Sequence, residues 1–262
     1  MRMHNDLHND KPRSRRWHWS AALLICLHGA VAMASDLSPP PINLHFSARA
    51  YDLDSGQVVY TEEHRYDASG HYNVTYREPD GTTFGSKLAD FSISRFAPNI
   101  EQRNDRNGEL VRITRKNAET LSATYRENRK HGEVTENIAA TDNTVIDAGF
   151  HPYILAHWDS LIKGSSNRFE YVVPSWLRNV TLAVAAIPCA QSGQACFVIK
   201  PANKLVAMFA HSAELIYDAQ SRQLLEFRGT SNIAKRDGEY HRVRIVYEYP
   251  PSIAAVANAP AD

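Results

Sequence analysis

Ile42-Asn43-Leu44-His45-Phe46-Ser47-Ala48-Arg49-Ala50 alternates apolar and polar residues without a break over nine positions. That period of two puts Leu44, Phe46, Ala48 and Ala50 on one face and His45, Ser47 and Arg49 on the other, which is a strand with one dry side. Asp52-Leu53-Asp54-Ser55-Gly56 then turns the chain, and Val58 to Tyr66 returns it. The same sign recurs along the chain. Tyr72, Val74 and Tyr76 alternate with polar neighbours, and Pro79-Asp80-Gly81 supplies a turn in which Pro presets φ and Gly permits a positive one. Strands are further expected over 82–87, 109–116, 120–126, 133–139, 168–173, 179–187, 196–200, 204–210, 213–218, 223–229 and 240–249. In the last, Val243, Ile245, Tyr247 and Tyr249 share a face opposite Arg242 and Arg244. These strands, joined mainly by hairpin-length turns, imply a mainly β, chiefly antiparallel fold.

One stretch departs from this period. Gly149 to Gly164 reads GFHPYILAHWDSLIKG, with Phe150, Ile154, Trp158 and Leu161 at helical spacing. Pro152 suits a first helical turn, Lys163 a last one, and Gly164 a stop. A helix over about 151–163 is expected to pack this stripe on the concave face of a curved sheet, a half-barrel or barrel-like form. Phe150, Tyr153, Ile154, Trp158, Leu161 and Trp176 are the candidate ligand-pocket residues on that reading.

Around this core the chain divides simply. Residues 1–34 have the form of a secretory signal: Arg2, Lys11, Arg13, Arg15 and Arg16, an apolar run from Ala21, and Ala32-Met33-Ala34 as a small-x-small cleavage site. The apolar run is short for a spanning helix, so no transmembrane anchor is expected after cleavage behind Ala34, and the product is expected in the periplasm. Residues 35–41 are expected to be a flexible lead-in, 42–249 a single β domain, and 250–262 a flexible tail.

The whole chain has 262 residues with 29 basic and 29 acidic side chains. Losing the signal removes five basic and two acidic residues and leaves 24 and 27, net −3 with His neutral. That balance argues against nucleic-acid binding, where a basic excess is expected. Cleavage also removes Cys26 and leaves Cys189 and Cys196, an even pair in an exported chain, for which a disulfide is expected.

Chemical motifs are sparse. Ser160-Leu161-Ile162-Lys163 matches Ser-x-x-Lys, but the Ser-Asp-Asn and Lys-Thr-Gly partners of penicillin-recognising enzymes are absent. His151 and His157 are six apart, about 240° around a helix, and do not converge on one ion. No catalytic residue, metal site or cofactor is assigned.

Gly56 to Tyr66 (GQVVYTEEHRY), Lys87 to Phe91 (KLADF), Asp147 to Phe150 (DAGF) and Tyr217 to Ile233, ending GTSNI, resemble a group of uncharacterised exported proteobacterial proteins. The architecture, a signal followed by an antiparallel meander with one central helix, resembles the periplasmic half-barrel superfamily of lipoprotein carriers, the outer-membrane lipoprotein sorting factors. That second resemblance implies an acyl-chain or lipid ligand held between sheet and helix. The expected function is therefore a non-catalytic binding protein for a hydrophobic small molecule or lipid. The alternatives are an envelope interaction module with a solid core, and a periplasmic hydrolase whose site the sequence does not mark.

Overall fold

The structure is a computed structural model, and it describes residues 44–67, 69–202 and 212–250. The expected signal, lead-in and 204–210 strand, and all but the first residue of the expected tail, lie outside these residues.

The first meander runs through β1 (His45–Asp52), β2 (Val58–Tyr66), β3 (His71–Arg77), β4 (Thr83–Asp90), β5 (Asn99–Asn104), β6 (Glu109–Asn117), β7 (Thr120–Arg126) and β8 (Val134–Ala139). Then come β9 (Thr144–Val145), a 3-10 turn at Asp147–Gly149, α1 (Phe150–Ala156) and α2 (Trp158–Ile162). The second meander holds β10 (Ser166–Val173), β11 (Arg178–Ile187), β12 (Gln194–Pro201), β13 (Ala213–Asp218), β14 (Leu224–Ala234) and β15 (Tyr240–Glu248), with a short 3-10 turn at Pro174–Trp176.

The fifteen strands of the described residues form one sheet in the order β8-β7-β6-β5-β4-β3-β2-β1-β15-β14-β13-β12-β11-β10-β9. The two meanders are zipped where β1 pairs antiparallel with β15, Ala50 opposite Ile245. Every pairing is antiparallel except β9 with β10. The sheet is curved and not closed by a ladder. Its edges still come near each other, since Asn179 Nδ2 on β11 donates to Ala139 O at the end of β8 at 2.7 Å. The turns are those the sequence marks: Gly56 and Gly81 have φ of 70° and 90°, conformations that favour glycine.

Two expectations need correction. The helix is two short pieces, because the chain leaves helical geometry at His157 (φ −108°, ψ 9°). There the imidazole Nδ1 lies 2.9 Å from Tyr153 O, which also accepts the His157 backbone N–H. The His157 N–H is shared with Ile154 O at 3.1 Å, a 3-10-type contact that tightens the turn. Next, β5 and β9 were not expected. In β5 only Ile100 is apolar, so no alternation is visible. In β4, Phe84 and Lys87 are both buried at 5% exposure, while Leu88 stands outside at 43%.

Cys189 and Cys196 are bonded, joining the loop after β11 to β12. The closed loop is short, so reduction should lower stability by roughly 2–3 kcal/mol and leave the fold standing. Thermal melts with and without reductant check this, and global unfolding on reduction would contradict it.

Candidate functional site

The buried apolar residues fall into two groups. One is formed by the inner faces of β1–β8, β14 and β15, around Phe46, Tyr60, Tyr76, Ile113 and Ile245. The other is formed by α1 and α2 against β10–β13, around Tyr153, Trp158, Phe169, Phe197 and Tyr217. Half-buried Phe227 touches both.

Of the sequence-predicted pocket residues, Tyr153, Ile154, Trp158 and Leu161 are buried in the second group, and Phe150 packs half-buried on its edge. Phe150 stacks on Tyr171 at 4.8 Å between centroids. Trp158 meets Phe197 and Tyr217 edge-on at 5.2 and 5.4 Å. Trp176 is not brought together with them: it stands 38% exposed, with Arg178 over its ring. Ser160 Oγ donates to His157 O at 2.8 Å. Ser160→Ala should therefore change stability by about 0.5 kcal/mol or less and abolish no activity, and a penicillin analogue should not label the residue. Covalent labelling at Ser160 would overturn that reading.

The first group carries polar side chains that the sequence did not single out. Ladder register places them in two adjacent rows across the inner face. One row runs Phe46, His64, Val74, Lys87, Gln102, Val111 from β1 to β6. The next runs Tyr247, Ala48, Glu62, Tyr76, Gly85, Asn104, Glu109 from β15 through β1 to β6. Glu62, His64, Lys87, Gln102, Asn104 and Glu109 are all buried. Six polar inward positions in neighbouring strands are unusual, because burying such groups is unfavourable unless they are paired.

Much of this set is paired. Lys87 Nζ donates to Asp147 Oδ1 at 2.5 Å, and Asn232 Nδ2 donates to Asp147 Oδ2 at 2.7 Å. Gln102 Nε2 donates to Asn232 O at 2.7 Å, and Asn104 Nδ2 to Ala234 O at 2.8 Å. Tyr60 and Ser231 share a 2.8 Å hydrogen bond, as do His64 Nδ1 and Tyr72 OH at 2.6 Å. These contacts draw together the segments 56–66, 87–91, 147–150 and 217–233. Asp147 has φ +40°, a conformation a non-glycine residue adopts only when its surroundings hold it.

Other atoms are left over. His64 Nε2, Gln102 Oε1 and Glu109 Oε2 are buried without a hydrogen-bond partner. Glu109 accepts from Tyr240 OH at 2.5 Å, yet burial raises its pKa in spite of that bond. Burial pushes the hydroxyls of Tyr66, Tyr171, Tyr247 and Tyr249 above the ordinary phenol range. All four nevertheless keep part of their surface accessible.

A solved structure is similar. It is a β-barrel-like protein of a domain of unknown function, DUF1849, from Brucella abortus, with TM-score 0.43, 10% identity, and coverage of 79% of this chain and 97% of that one. No family model and no curated protein matches the chain. Among the described residues no cluster of three or more His, Cys, Asp or Glu could hold a metal, and no helix is long and apolar enough to cross a membrane.

His151 stacks on Tyr217 at 5.7 Å between centroids. Burial, with Arg95 nearby, lowers its pKa to about 4. The unfolded chain therefore binds a proton between about pH 6.5 and 4 that the folded chain refuses. Stability from this group is present above pH 6.5 and falls by about 2–3 kcal/mol as the pH drops to 4. An NMR titration of the imidazole checks the assignment; a midpoint at or above 6.5 would refute it.

Proposed function

We propose that the protein is a non-catalytic binding protein for a hydrophobic or amphipathic ligand, exported to the periplasm. The observation that carries this reading is the divided interior. The interior holds two apolar groups, with Tyr66, Tyr247 and Tyr249 half-buried against the first and Tyr171 against the second. A concave, mostly apolar space with a few polar groups at one side is the usual form of a small-molecule site. The polar rows on β2–β6 supply that side, and the helix supplies an apolar wall at Phe150.

The test is native mass spectrometry of protein purified from its producing cells, followed by titration with dodecanol. A co-purifying amphiphile, or saturable binding of one dodecanol per chain, is expected. A mass equal to bare protein together with no dodecanol binding would leave the solid-core interaction module as the better reading.

A further inference from the structure

The two edges of the sheet are unlike. β9 is two buried residues. β8 runs from Val134 to Ala139 and, among the described strands, pairs with β7 alone. Every residue from Glu133 to Asn137 is exposed. Val134 stands 54% open although its ladder partner Tyr125 packs on the first apolar group.

Alternation decides which backbone groups this edge leaves over. The Ala140 N–H donates toward β7, to Glu119 O at 2.8 Å, whereas Ala139 O faces away and accepts from Asn179 Nδ2. The β7–β8 register holds no bulge. In antiparallel alternation the N–H and C=O of Thr135 and Asn137 therefore turn away from β7 too, and Glu133 continues that phase. Such a row of unpaired groups is a template for another strand. Edges of this kind are commonly blunted by Pro, Lys or a bulge, and Val134–Ala139 has none of them.

Charge selects the occupant and its register. Lys116 Nζ donates to Asn137 Oδ1 at 2.9 Å on the outer face, and no carboxylate pairs with it among the described residues. Glu133, on the same face, makes only long contacts, 3.4 Å to Arg126 and 3.9 Å to Arg112. The edge thus carries a loosely held acid at one end and an unneutralised base at the other, which is complementary to itself turned end for end. A two-fold axis at Glu133 or Glu136 would set an acid against its own copy, which is destabilising. One at Val134 would put Asn137 opposite His131, whose N–H is already bonded to Asn128 O. One at Asn137 would require Ala139, whose carbonyl Asn179 holds. An axis at Thr135 sets Val134 opposite Glu136 and Glu133 opposite Asn137, beside Lys116 of the second copy.

We infer that β8 joins two copies of this chain, paired antiparallel about Thr135 with Glu133 of each copy against Lys116 of the other. The contact is an isologous one, the same surface on both copies, and it does not rest on the binding role proposed above. One strand pair is a small interface, so the dimer belongs to the weak, exchanging class. Sedimentation equilibrium of the purified protein should show a monomer–dimer equilibrium with Kd of about 10–100 µM. Thr135→Pro removes an N–H that faces the second copy and none that faces β7. It should raise Kd about tenfold or more with the thermal melt little changed. Glu133→Lys and Lys116→Glu each place like charges across the contact and should each weaken self-association about fivefold or more. Mixing these two variants should restore a dimer containing one of each, because lysine then meets glutamate at both contacts; native mass spectrometry of a mass-labelled pair reads this out.

A chain that stays monomeric to about 1 mM would overturn the inference. So would a dimer that Thr135→Pro does not weaken, which would place the contact elsewhere. Should Thr135→Pro not fold, the charge variants decide: a mixture that associates no better than either variant alone would also overturn it.

Discussion

Trp158→Ala is expected to destabilise the protein by about 3–5 kcal/mol, a large share of the total stability of an ordinary domain. Trp158 is 5% exposed and wedged between Phe197 and Tyr217, with Leu161 and Ile154 completing the contact. The indole is held from the β12–β13 side and from its own helix pieces, and those pieces are too short to be stable alone. Removing it leaves a void that rigid strands cannot close, which is why the transfer and cavity contributions add. Arg222, which sits over the indole at 5.2 Å, also loses its ring. Chemical denaturation with the denaturant slope compared between variants gives the measurement. A loss below about 1 kcal/mol would mean that the helix shifts freely over β10–β13 and that this packing is not what fixes it. Amphiphile binding should be weakened less than stability, because the proposed site lies along the polar rows and Phe150 and not beneath this stripe.

The mainly β fold could be read directly, and the reason is visible in β1. Its dry face packs only apolar residues, so the period of two survives in the sequence. The helical stripe was readable for a similar reason, since Ile154, Trp158 and Leu161 are buried by one neighbour group. Legibility failed where the inner face becomes polar. In β5 the inward positions after Ile100 are Gln102 and Asn104, so apolar alternation vanishes although the strand is central. In β4, Gly85, Lys87 and Ala89 face in while Leu88 faces out, so a lysine stands inside and a leucine outside. In β2, Glu62 and Glu63 are adjacent acids, and only register with β1 and β3 shows which is inside. A buried charge needs a partner from elsewhere in the chain, and Asp147 is 60 residues from Lys87. Such a pairing leaves no local period to read. The candidate site therefore coincides with the strands where sequence pattern and structure disagree, as expected where a local rule is broken for function.

Asp147→Asn is expected to cost about 3–5 kcal/mol, more than its partner substitution Lys87→Met. The two side chains are unequally buried, 4% exposed for Lys87 and 18% for Asp147. Neutralising Asp147 strands an ammonium that has no other counter-charge among the described residues. Neutralising Lys87 leaves a carboxylate that still accepts from Asn232 and reaches solvent. Asparagine is chosen because it tolerates the left-handed backbone at this position, so strain does not confuse the result. The double variant Lys87→Met with Asp147→Asn should regain most of the loss, since replacing both members of a buried pair is often close to neutral. A cycle of the four proteins by urea denaturation measures the coupling directly. The pair also ties the start of the helical segment to the inner face of β4, and Gly149 fixes the same point, since a Cβ there would clash with Phe96 O. Single variants should accordingly raise hydrogen exchange in 147–156 before they affect β10–β13. Equal losses for the two single variants, or a double variant as unstable as Asp147→Asn, would show that the pair acts through shape and not through charge.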